Sequence, residues 1–343
     1  MSSLRSAIDA EILEHGSIGL DRYMELCLSH PQYGYYMKQQ PFGSKGDFTT
    51  SPEISQMFGE LIGLWLVHMW NEIGAPERFA LVELGPGRGT LMADLLRAAQ
   101  VQPSFLEAAE IFLLESSEKL RQEQIKKLDG FSITHINNLQ SLPEIPILLV
   151  ANEFFDALPV QQWVKNDFGW QERRIATGLK IAHTKTIPQP ELDKRYPKLA
   201  TGQIVEINKA AVAISNVITK RLTRLGGAAL IIDYGEFDGV GDTFQAVQNH
   251  KKTDPFESPG EADLTAHVKF CDLVQGGVNQ NFTTQGSFLE QLGINARREA
   301  LEKTARKSLR TEQNRLVSDD EMGRLFKVLA LSSCNLQNAP GFG

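Results

Sequence analysis

Residues 79–90 read FALVELGPGRGT, and this stretch decides the fold. Its apolar part, Phe79–Leu84, predicts a buried strand, and a helix is predicted from about Thr90. Three glycines at alternate positions lie between them and let the main chain turn sharply and approach a ligand, because glycine has no Cβ. A strand, a glycine turn and a helix in this order indicate a cofactor site. A tight strand-to-helix connection without a ligand would show the same pattern.

Two carboxylates narrow the choice of ligand. The glycines are spaced G-x-G-x-G, not the G-x-G-x-x-G that seats a pyrophosphate at a helix N-terminus. Glu83, just before the turn, would repel a phosphate but can pair with an ammonium group. The predicted strand Ile111–Leu114 is followed by Glu115, whose two carboxylate oxygens can accept hydrogen bonds from two ribose hydroxyls. The pattern predicts a nucleoside joined to an amino acid, S-adenosylmethionine, with NAD as the competing ligand. The cofactor-binding residues predicted here are Glu83, Gly85, Pro86, Gly87, Gly89, Thr90 and Glu115.

The alternation of predicted strands and helices from residue 79 onward predicts an α/β fold. Short apolar runs, such as Ile147–Ala151 and Ala228–Ile232, alternate with helical patterns, which favours a mainly parallel sheet covered on both faces. Loose alternation between Val160 and Lys198 predicts an antiparallel insertion, and helical patterns are predicted over 206–225 and 319–331. The predicted organisation is an N-terminal helical cap over 1–75, a Rossmann-like core over 76–270 with the β insertion at about 160–200, and a C-terminal helical extension over 271–343.

Composition excludes several classes of function. The 343 residues carry a formal net charge of -7, so there is no overall basic field to hold nucleic acid. The most apolar stretch, Ile54–Val67, contains Glu60 and is shorter than the roughly 20 residues that a membrane span needs. The three cysteines lie far apart without the spacing of a zinc or redox site, so no metal is predicted. The N-terminus has neither a secretory nor a transit pattern, which makes the cytoplasm the default compartment.

Longer blocks around these residues resemble a known family, the MidA-like proteins, also called the DUF185 group, which includes the mitochondrial complex I assembly methyltransferase. The blocks occur in family order between about residues 20 and 270. They are YGYY at 33–36, GDFTTSPEIS at 46–55, ELGPGRGT at 83–90, NEFFDALP at 152–159, DYG at 233–235 and DLTAHV at 263–268.

The resemblance implies a class I methyltransferase fold and S-adenosylmethionine as methyl donor. It further implies a protein substrate, with symmetric dimethylation of an arginine on a subunit of respiratory complex I, a property of the member in the mitochondrial matrix. The target of a bacterial relative stays open, as does a homodimer. A different class of function also remains open. The chain could be a non-catalytic assembly factor or chaperone for a respiratory complex, which binds the cofactor and a partner protein without turnover.

The acceptor side of the site is predicted from chemistry. If the acceptor is a guanidinium, carboxylates must localise its charge and orient one nitrogen towards the methyl group. Glu153 follows the strand Ile147–Ala151, at the carboxyl end where α/β sheets bind ligands, and Asp156 comes three residues later. We predict both as catalytic. The competing interpretation is a strand-to-helix connection in which Asn or Asp caps main-chain groups.

Other blocks supply the remaining candidates. The loop at 46–55 is predicted to close over the site, with helix capping alone as the competing interpretation. Tyrosines of the YGYY block would provide aromatic walls for a cation. The segment Lys119–Lys127 is predicted to be a solvated helix face. Further predicted cofactor-binding residues are Asp47, Thr49 and Asn152, and the predicted substrate-binding residues are Tyr35, Tyr36, Phe154, Asp233 and Tyr234.

Overall fold

The structure is a computed structural model that describes residues 3–38, 50–305, 308–334 and 339–343. The chain divides into two compact units, each assembled from three separate stretches. The cap unit comprises residues 1–48, 156–212 and 238–267, and the sheet unit comprises residues 49–155, 213–237 and 268–343. This division differs from the linear one predicted above, because the N-terminal segment 1–75 contributes to both units. Compact units form from stretches that are close in space, which linear boundaries do not represent.

The sheet unit contains an eight-stranded sheet, of which seven strands lie in one path. We label these strands in chain order: β1 Phe79–Leu84, β2 Ala109–Leu114, β3 Ile133–Ile136, β4 Ile147–Asn152, β5 Gly227–Glu236, β6 Asn279–Thr284 and β7 Phe326–Ser332. Their order in the sheet is β3-β2-β1-β4-β5-β7-β6. Strands β1 to β5 pair with one another in parallel, whereas β7 is antiparallel to both β5 and β6. The short strand Val268–Lys269 pairs with the end of β5. The predicted α/β class with a mainly parallel sheet is confirmed.

The strand order reverses between β1 and β4. The chain proceeds from β1 to β2 and β3 on one side, and from β4 to β5 on the other. In such sheets the ligand-binding crevice lies outside the carboxyl ends of the strands, at this reversal. Strands β1 and β4 are buried along their whole length, which is why they appear in the sequence as continuous apolar runs.

Helices of the sheet unit follow or precede these strands. They are Ser51–Ile54, Gln56–Glu72, Thr90–Ala99, Pro103–Ala108, Glu118–Lys127, Gln285–Gln291, Ile294–Ala305, Arg310–Val317 and Met322–Leu325, with short 3₁₀ turns at Leu139–Ser141 and Phe270–Asp272. The helix Lys209–Leu225 begins in the residue range of the cap unit and ends in that of the sheet unit. Within the described ranges, no helix is both long and apolar enough to cross a membrane.

Two sequence-based helix predictions need correction. The helix predicted over 319–331 was wrong, because Met322–Leu325 forms one turn and β7 follows at once. Every residue of β7 is buried, and a short apolar run covered on both faces cannot be told from a buried helix by its periodicity. The helix predicted from residue 206 starts only at Lys209, because Ile204–Ile207 is a strand.

The cap unit combines short helices with two small antiparallel sheets. Its helices are Leu4–His15, Leu20–Ser29, Tyr35–Lys38 and Pro190–Arg195, with a 3₁₀ turn at Thr177–Leu179. One sheet contains Ile18–Gly19, Gln161–Asn166, Gly169–Ala176, Lys180–His183 and Ile204–Ile207, and the other contains Gln245–Gln248, Lys251–Thr253 and Asp263–Thr265. The predicted antiparallel insertion is therefore confirmed. Helices Leu4–His15 and Leu20–Ser29 bury apolar side chains such as Ile8 and Met24 in the core of this unit.

Candidate functional site

The glycine turn lies at the carboxyl end of β1. Gly85, Gly87 and Gly89 have φ angles of +62°, +50° and +77°, a region that side chains with a Cβ rarely adopt. The N–H of Gly85 donates to the carbonyl oxygen of Leu114 at 3.1 Å, which ties the turn to β2. A Cβ added at Gly85 would lie 3.0 Å from Cδ2 of Phe154. All three glycines are required by their main-chain conformation, and the helix Thr90–Ala99 starts directly after them.

Glu83 is the buried carboxylate of this site. Only 3% of the residue is exposed, and no described residue hydrogen-bonds its Oε2 atom. Burial, and then the negative charge of Glu115, raise the pKa of Glu83 to about 8, while a hydrogen bond from the main-chain N–H of Met92 opposes this shift. A buried acceptor atom without a partner is unfavourable, so this oxygen fits a ligand with a hydrogen-bond donor or a positive charge.

Glu115 follows β2 as the sequence predicts. Its Oε1 accepts a hydrogen bond from the N–H of Ser117 at 2.7 Å, and its Oε2 is 3.4 Å from Nε2 of Gln124. Burial raises the pKa of Glu115 above its ordinary value, against the opposing effect of these donors. The carboxylate is therefore held in one orientation beside the glycine turn. Its predicted contact with ribose hydroxyls stays a prediction.

Gln124 is not among the residues predicted from the sequence. Its side chain is fully buried, although Lys119–Lys127 was predicted to be a solvated helix face. Nε2 of Gln124 donates to the carbonyl oxygen of Gly87 at 2.7 Å, and its Oε1 is 2.7 Å from Nε2 of His135. Burial lowers the pKa of His135 below its ordinary value, which favours the neutral imidazole. Gln124 thus connects the glycine turn, the Glu115 carboxylate and β3, and no local pattern could have signalled this, since the same helix carries a second, exposed glutamine, Gln122.

We predict that Gln124→Met weakens binding of S-adenosylhomocysteine about 30-fold, because two hydrogen bonds that position the turn and Glu115 are lost, each worth about 1 kcal/mol. Isothermal titration calorimetry measures the effect. The matched control is Gln122→Met, two residues away in the same helix, where the glutamine is exposed and hydrogen-bonds only Glu118 among the described residues. Equal affinities for both variants would contradict the assigned role of Gln124.

Asn152 and Glu153 lie at the carboxyl end of β4, next to β1. Glu153 has a φ of +51°, a conformation that costs a non-glycine residue about 1–2 kcal/mol. Its N–H donates to the carbonyl oxygen of Ile232 at 2.9 Å. Its Oε1 accepts hydrogen bonds from Nδ2 of Asn152 at 3.0 Å and from the N–H of Ser51 at 3.2 Å. No described residue hydrogen-bonds the buried Oδ1 of Asn152, which leaves a second acceptor for a ligand.

The short helix Ser51–Ile54 contacts both sides of this site. Besides the bond from Ser51 to Glu153, Oε1 of Glu53 accepts a hydrogen bond from the Thr90 hydroxyl at 2.6 Å, and Oε2 lies 3.4 Å from Nη1 of Arg88. The Thr90 hydroxyl therefore serves this contact, and its predicted role towards the cofactor stays a prediction. Ser51 and Glu53 belong to the loop at 46–55 that was predicted to close over the site, with helix capping as the competing interpretation, but their individual partners were not predicted because these lie far along the chain.

Three aromatic or acidic candidates lie close to Glu153 in the chain or on β5. Phe154 packs over Gly85 and contacts Phe155 edge to face. The fully buried Asp233 accepts hydrogen bonds from the N–H groups of Phe155 at 3.0 Å and Tyr234 at 2.9 Å. Asp233 therefore fixes the main chain after β4, which is a positioning role. Contact of Phe154, Asp233 and Tyr234 with substrate stays a prediction.

The remaining candidates belong to the cap unit or fall outside the described residues. Tyr35, Tyr36 and Asp156 belong to the cap unit and are described within it. Oη of Tyr36 donates to Oδ1 of Asp263 at 2.9 Å. Burial, and then the charges of Asp263 and Asp156, raise the pKa of Tyr36 well above its ordinary value. Asp263 was not predicted. Asp47 and Thr49 lie outside the described residues.

These features fit S-adenosylmethionine on the sheet unit. Two buried carbonyl-type oxygens without a described hydrogen-bond partner, on Glu83 and Asn152, can act as acceptors for a ligand, so they suit a cationic or donor-rich ligand and not a phosphate. The glycine turn admits main-chain contact with a ligand. Glu115 offers carboxylate oxygens of the kind that bind ribose hydroxyls.

Comparison with known proteins agrees with this geometry. The sequence model of a family of S-adenosyl-L-methionine-dependent methyltransferases matches residues 61–288. The chain is 36% identical, over 96% of its length and 84% of the relative's, to the Drosophila melanogaster protein named protein arginine methyltransferase NDUFAF7 homolog, mitochondrial. It is 34% identical to the Homo sapiens protein arginine methyltransferase NDUFAF7, mitochondrial, over 94% of this chain and 81% of the relative.

Solved structures show the same fold. A protein from Burkholderia thailandensis, crystallised with S-adenosyl-homocysteine bound, superimposes on this chain with a TM-score of 0.85 at 28% sequence identity. The superposition covers 98% of this chain and 95% of the Burkholderia chain. A second crystal structure from that organism gives a TM-score of 0.80 at 29% identity, with coverages of 96% and 91%. Both structures have the fold described here, and the S-adenosyl-homocysteine in the first is the kind of ligand that the glycine turn and its carboxylates predict.

Proposed function

We propose, from the premise that this chain belongs to the family of S-adenosyl-L-methionine-dependent methyltransferases, that its methyl acceptor is an arginine side chain of a protein. The enzyme uses S-adenosylmethionine as methyl donor.

We propose that the sheet unit holds the cofactor through residues of the crevice at β1 and β4. Glu83 and Asn152 would accept hydrogen bonds from the amino-acid part, the glycine turn would let the main chain contact the ligand, and Glu115 would bind the ribose. When bound, the cofactor supplies an activated methyl group on a sulfonium. The protein then needs mainly to orient the acceptor nitrogen and to exclude water.

The observation that carries the acceptor assignment is the position of Glu153. Glu153 lies at the carboxyl end of β4, and β4 pairs with β1, the strand that contains Glu83. The main chain of Glu153 has a positive φ, which is unfavourable for glutamate. A guanidinium is planar and cationic, and a fixed carboxylate binds it with good geometry. The carboxylate would hold one nitrogen with its lone pair towards the methyl group. The nitrogen that receives the methyl group would give up one proton, for which the Glu153 carboxylate or solvent would be the acceptor.

The names of the curated relatives support arginine as the acceptor, because several relatives that align over most of this chain are named protein arginine methyltransferases. The family resemblance adds a finer proposal, symmetric dimethylation of a subunit of respiratory complex I. The catalytic role of Asp156 stays a prediction from the sequence.

A labelling experiment tests this function. The purified protein is incubated with methyl-labelled S-adenosylmethionine and cell extract, and labelled proteins are hydrolysed for amino-acid analysis. We expect one or few labelled protein bands that contain symmetric dimethylarginine. Labelled asymmetric dimethylarginine would overturn the product assignment, and labelled lysine or small molecules would overturn the arginine acceptor. Cofactor binding without any labelled product would favour a non-catalytic assembly factor.

A further inference from the structure

A cavity of about 240 Å³ lies in the cap unit. Its apolar wall includes Ile175, Ile181 and Phe244, and its polar lining is Gln162, Arg173 and Asp242. Ligand pockets for whole small molecules measure roughly 300–1,000 Å³, so this cavity is better matched to one large side chain.

The polar groups of this cavity are already bound to one another. Nη1 of Arg173 donates to Oε1 of Gln162 at 2.7 Å and to Oδ2 of Asp242 at 2.6 Å. Nε2 of Gln162 donates to Oδ1 of Asp242 at 2.7 Å. Because these groups satisfy each other, the cavity does not require a polar ligand, and its remaining surface favours an apolar occupant.

The cavity adjoins the edge of a sheet. Ile175 and Ile181 are opposite each other on neighbouring antiparallel strands. Among the described residues, the strand Lys180–His183 pairs only with Gly169–Ala176, so its other edge offers main-chain groups to a partner. The N–H of Thr184 donates to the carbonyl oxygen of Glu172 at 3.0 Å. Alternation along an antiparallel ladder then directs the main-chain N–H and C=O of Ile181 and His183 away from the sheet.

The charge of this edge indicates the chemistry of the partner. Residues 180–187 contain Lys180, His183 and Lys185 and no carboxylate. Both lysines are exposed. Ile181 is 42% exposed while it lines the cavity, which is unusual for an edge strand unless something covers it. A segment that carries acidic residues on either side of one apolar residue would complement both the charge and the cavity.

We propose that the edge strand Lys180–His183 docks an extended segment of the protein substrate as an added strand, with an apolar side chain of that segment in the cavity beside Ile181 and acidic side chains near Lys180 and Lys185. Main-chain hydrogen bonds would supply affinity, and the cavity would supply specificity, as in other cases of strand addition. This inference rests on the proposed function only in taking the acceptor to be a protein.

The test uses the full chain and a short fluorescein-labelled peptide of alternating threonine and glutamate with one central leucine. Fluorescence anisotropy measures its affinity in the absence of cofactor, so a failure here is separate from a failure of methylation. We expect saturable binding that weakens at least about tenfold in Ile181→Asp and in the double variant Lys180→Glu with Lys185→Glu. His183→Pro, which removes an outward N–H, is expected to weaken it as well.

Matched controls make the result specific. Ile187→Asp changes an isoleucine of similar exposure, 41%, on the same edge but outside the cavity lining, and should bind the peptide like the unaltered protein. A peptide with aspartate in place of leucine should bind at least about tenfold more weakly. No saturable binding, or equal loss in Ile181→Asp and Ile187→Asp, would overturn the proposal. So would a change of oligomeric state in Ile181→Asp without peptide binding, because the surface would then serve a second copy of this chain.

Discussion

Methyl transfer is expected to fall at least about 100-fold in Glu153→Gln, with cofactor affinity changed less than about twofold. Glutamine keeps the Oε1 acceptor that binds the N–H of Ser51 and the side chain of Asn152, so the local structure should persist. Only the negative charge is removed, and a guanidinium would lose its counter-charge as it is oriented for reaction. Incorporation of labelled methyl into extract proteins measures turnover, and calorimetry with S-adenosylhomocysteine measures binding.

The control for this variant is Glu77→Gln, an exposed glutamate just before β1 and so at the opposite end of the sheet. The Glu77→Gln variant should incorporate as much labelled methyl into extract proteins as the unaltered enzyme does. Undiminished labelling by Glu153→Gln would remove Glu153 from the acceptor site. Loss of both labelling and cofactor binding would instead indicate that this glutamate holds the crevice together.

Binding of S-adenosylmethionine is expected to release a proton from Glu83 below about pH 8. The pKa of this carboxyl is raised to about 8 without ligand, chiefly by burial, so the group is mostly protonated at neutral pH. A bound ammonium would favour the ionised form. Affinity should therefore increase as the pH rises towards about 8, more steeply in the unaltered protein than in Glu83→Gln, which should bind at least about tenfold more weakly at that pH because it cannot become charged.

Calorimetry in two buffers with different ionisation enthalpies counts the released protons. The ligand's own ammonium titrates in the same pH range. The number of protons released is therefore compared between the unaltered protein and the Glu83→Gln variant, with the same ligand. A proton count that does not differ between them would refute the pairing of Glu83 with the cofactor.

Glu83 also makes the stability of the unliganded protein depend on pH. The folded state binds a proton with a pKa of about 8, whereas an unfolded glutamate has the ordinary value of 4.5. The free energy of unfolding should therefore decrease as the pH rises from about 4.5 to about 8, and Glu83→Gln should flatten this decrease. Urea unfolding followed by circular dichroism across this range measures it, and parallel curves for both proteins would contradict the raised pKa.

Local sequence rules predicted the centre of the fold well. The apolar runs of β1 and β4 predicted buried strands because both faces of these strands are covered. The same rule failed for β7, which was predicted as helix, since a short buried run has no diagnostic period. Its placement between β5 and β6 depends on pairing across nearly a hundred residues of chain from β5, which no local pattern records.

The sequence by itself determined the glycine turn, the carboxylates Glu83 and Glu115, and Glu153 at the end of β4. Each follows from a local requirement: a main chain with positive φ needs glycine, and residues that end parallel strands share one edge of the sheet. Only the tertiary structure decided that Gln124 and Glu53 contact the glycine turn and that Asp233 holds the chain after β4. Those contacts join residues distant in sequence, and their energy exists only once the sheet has brought the elements together.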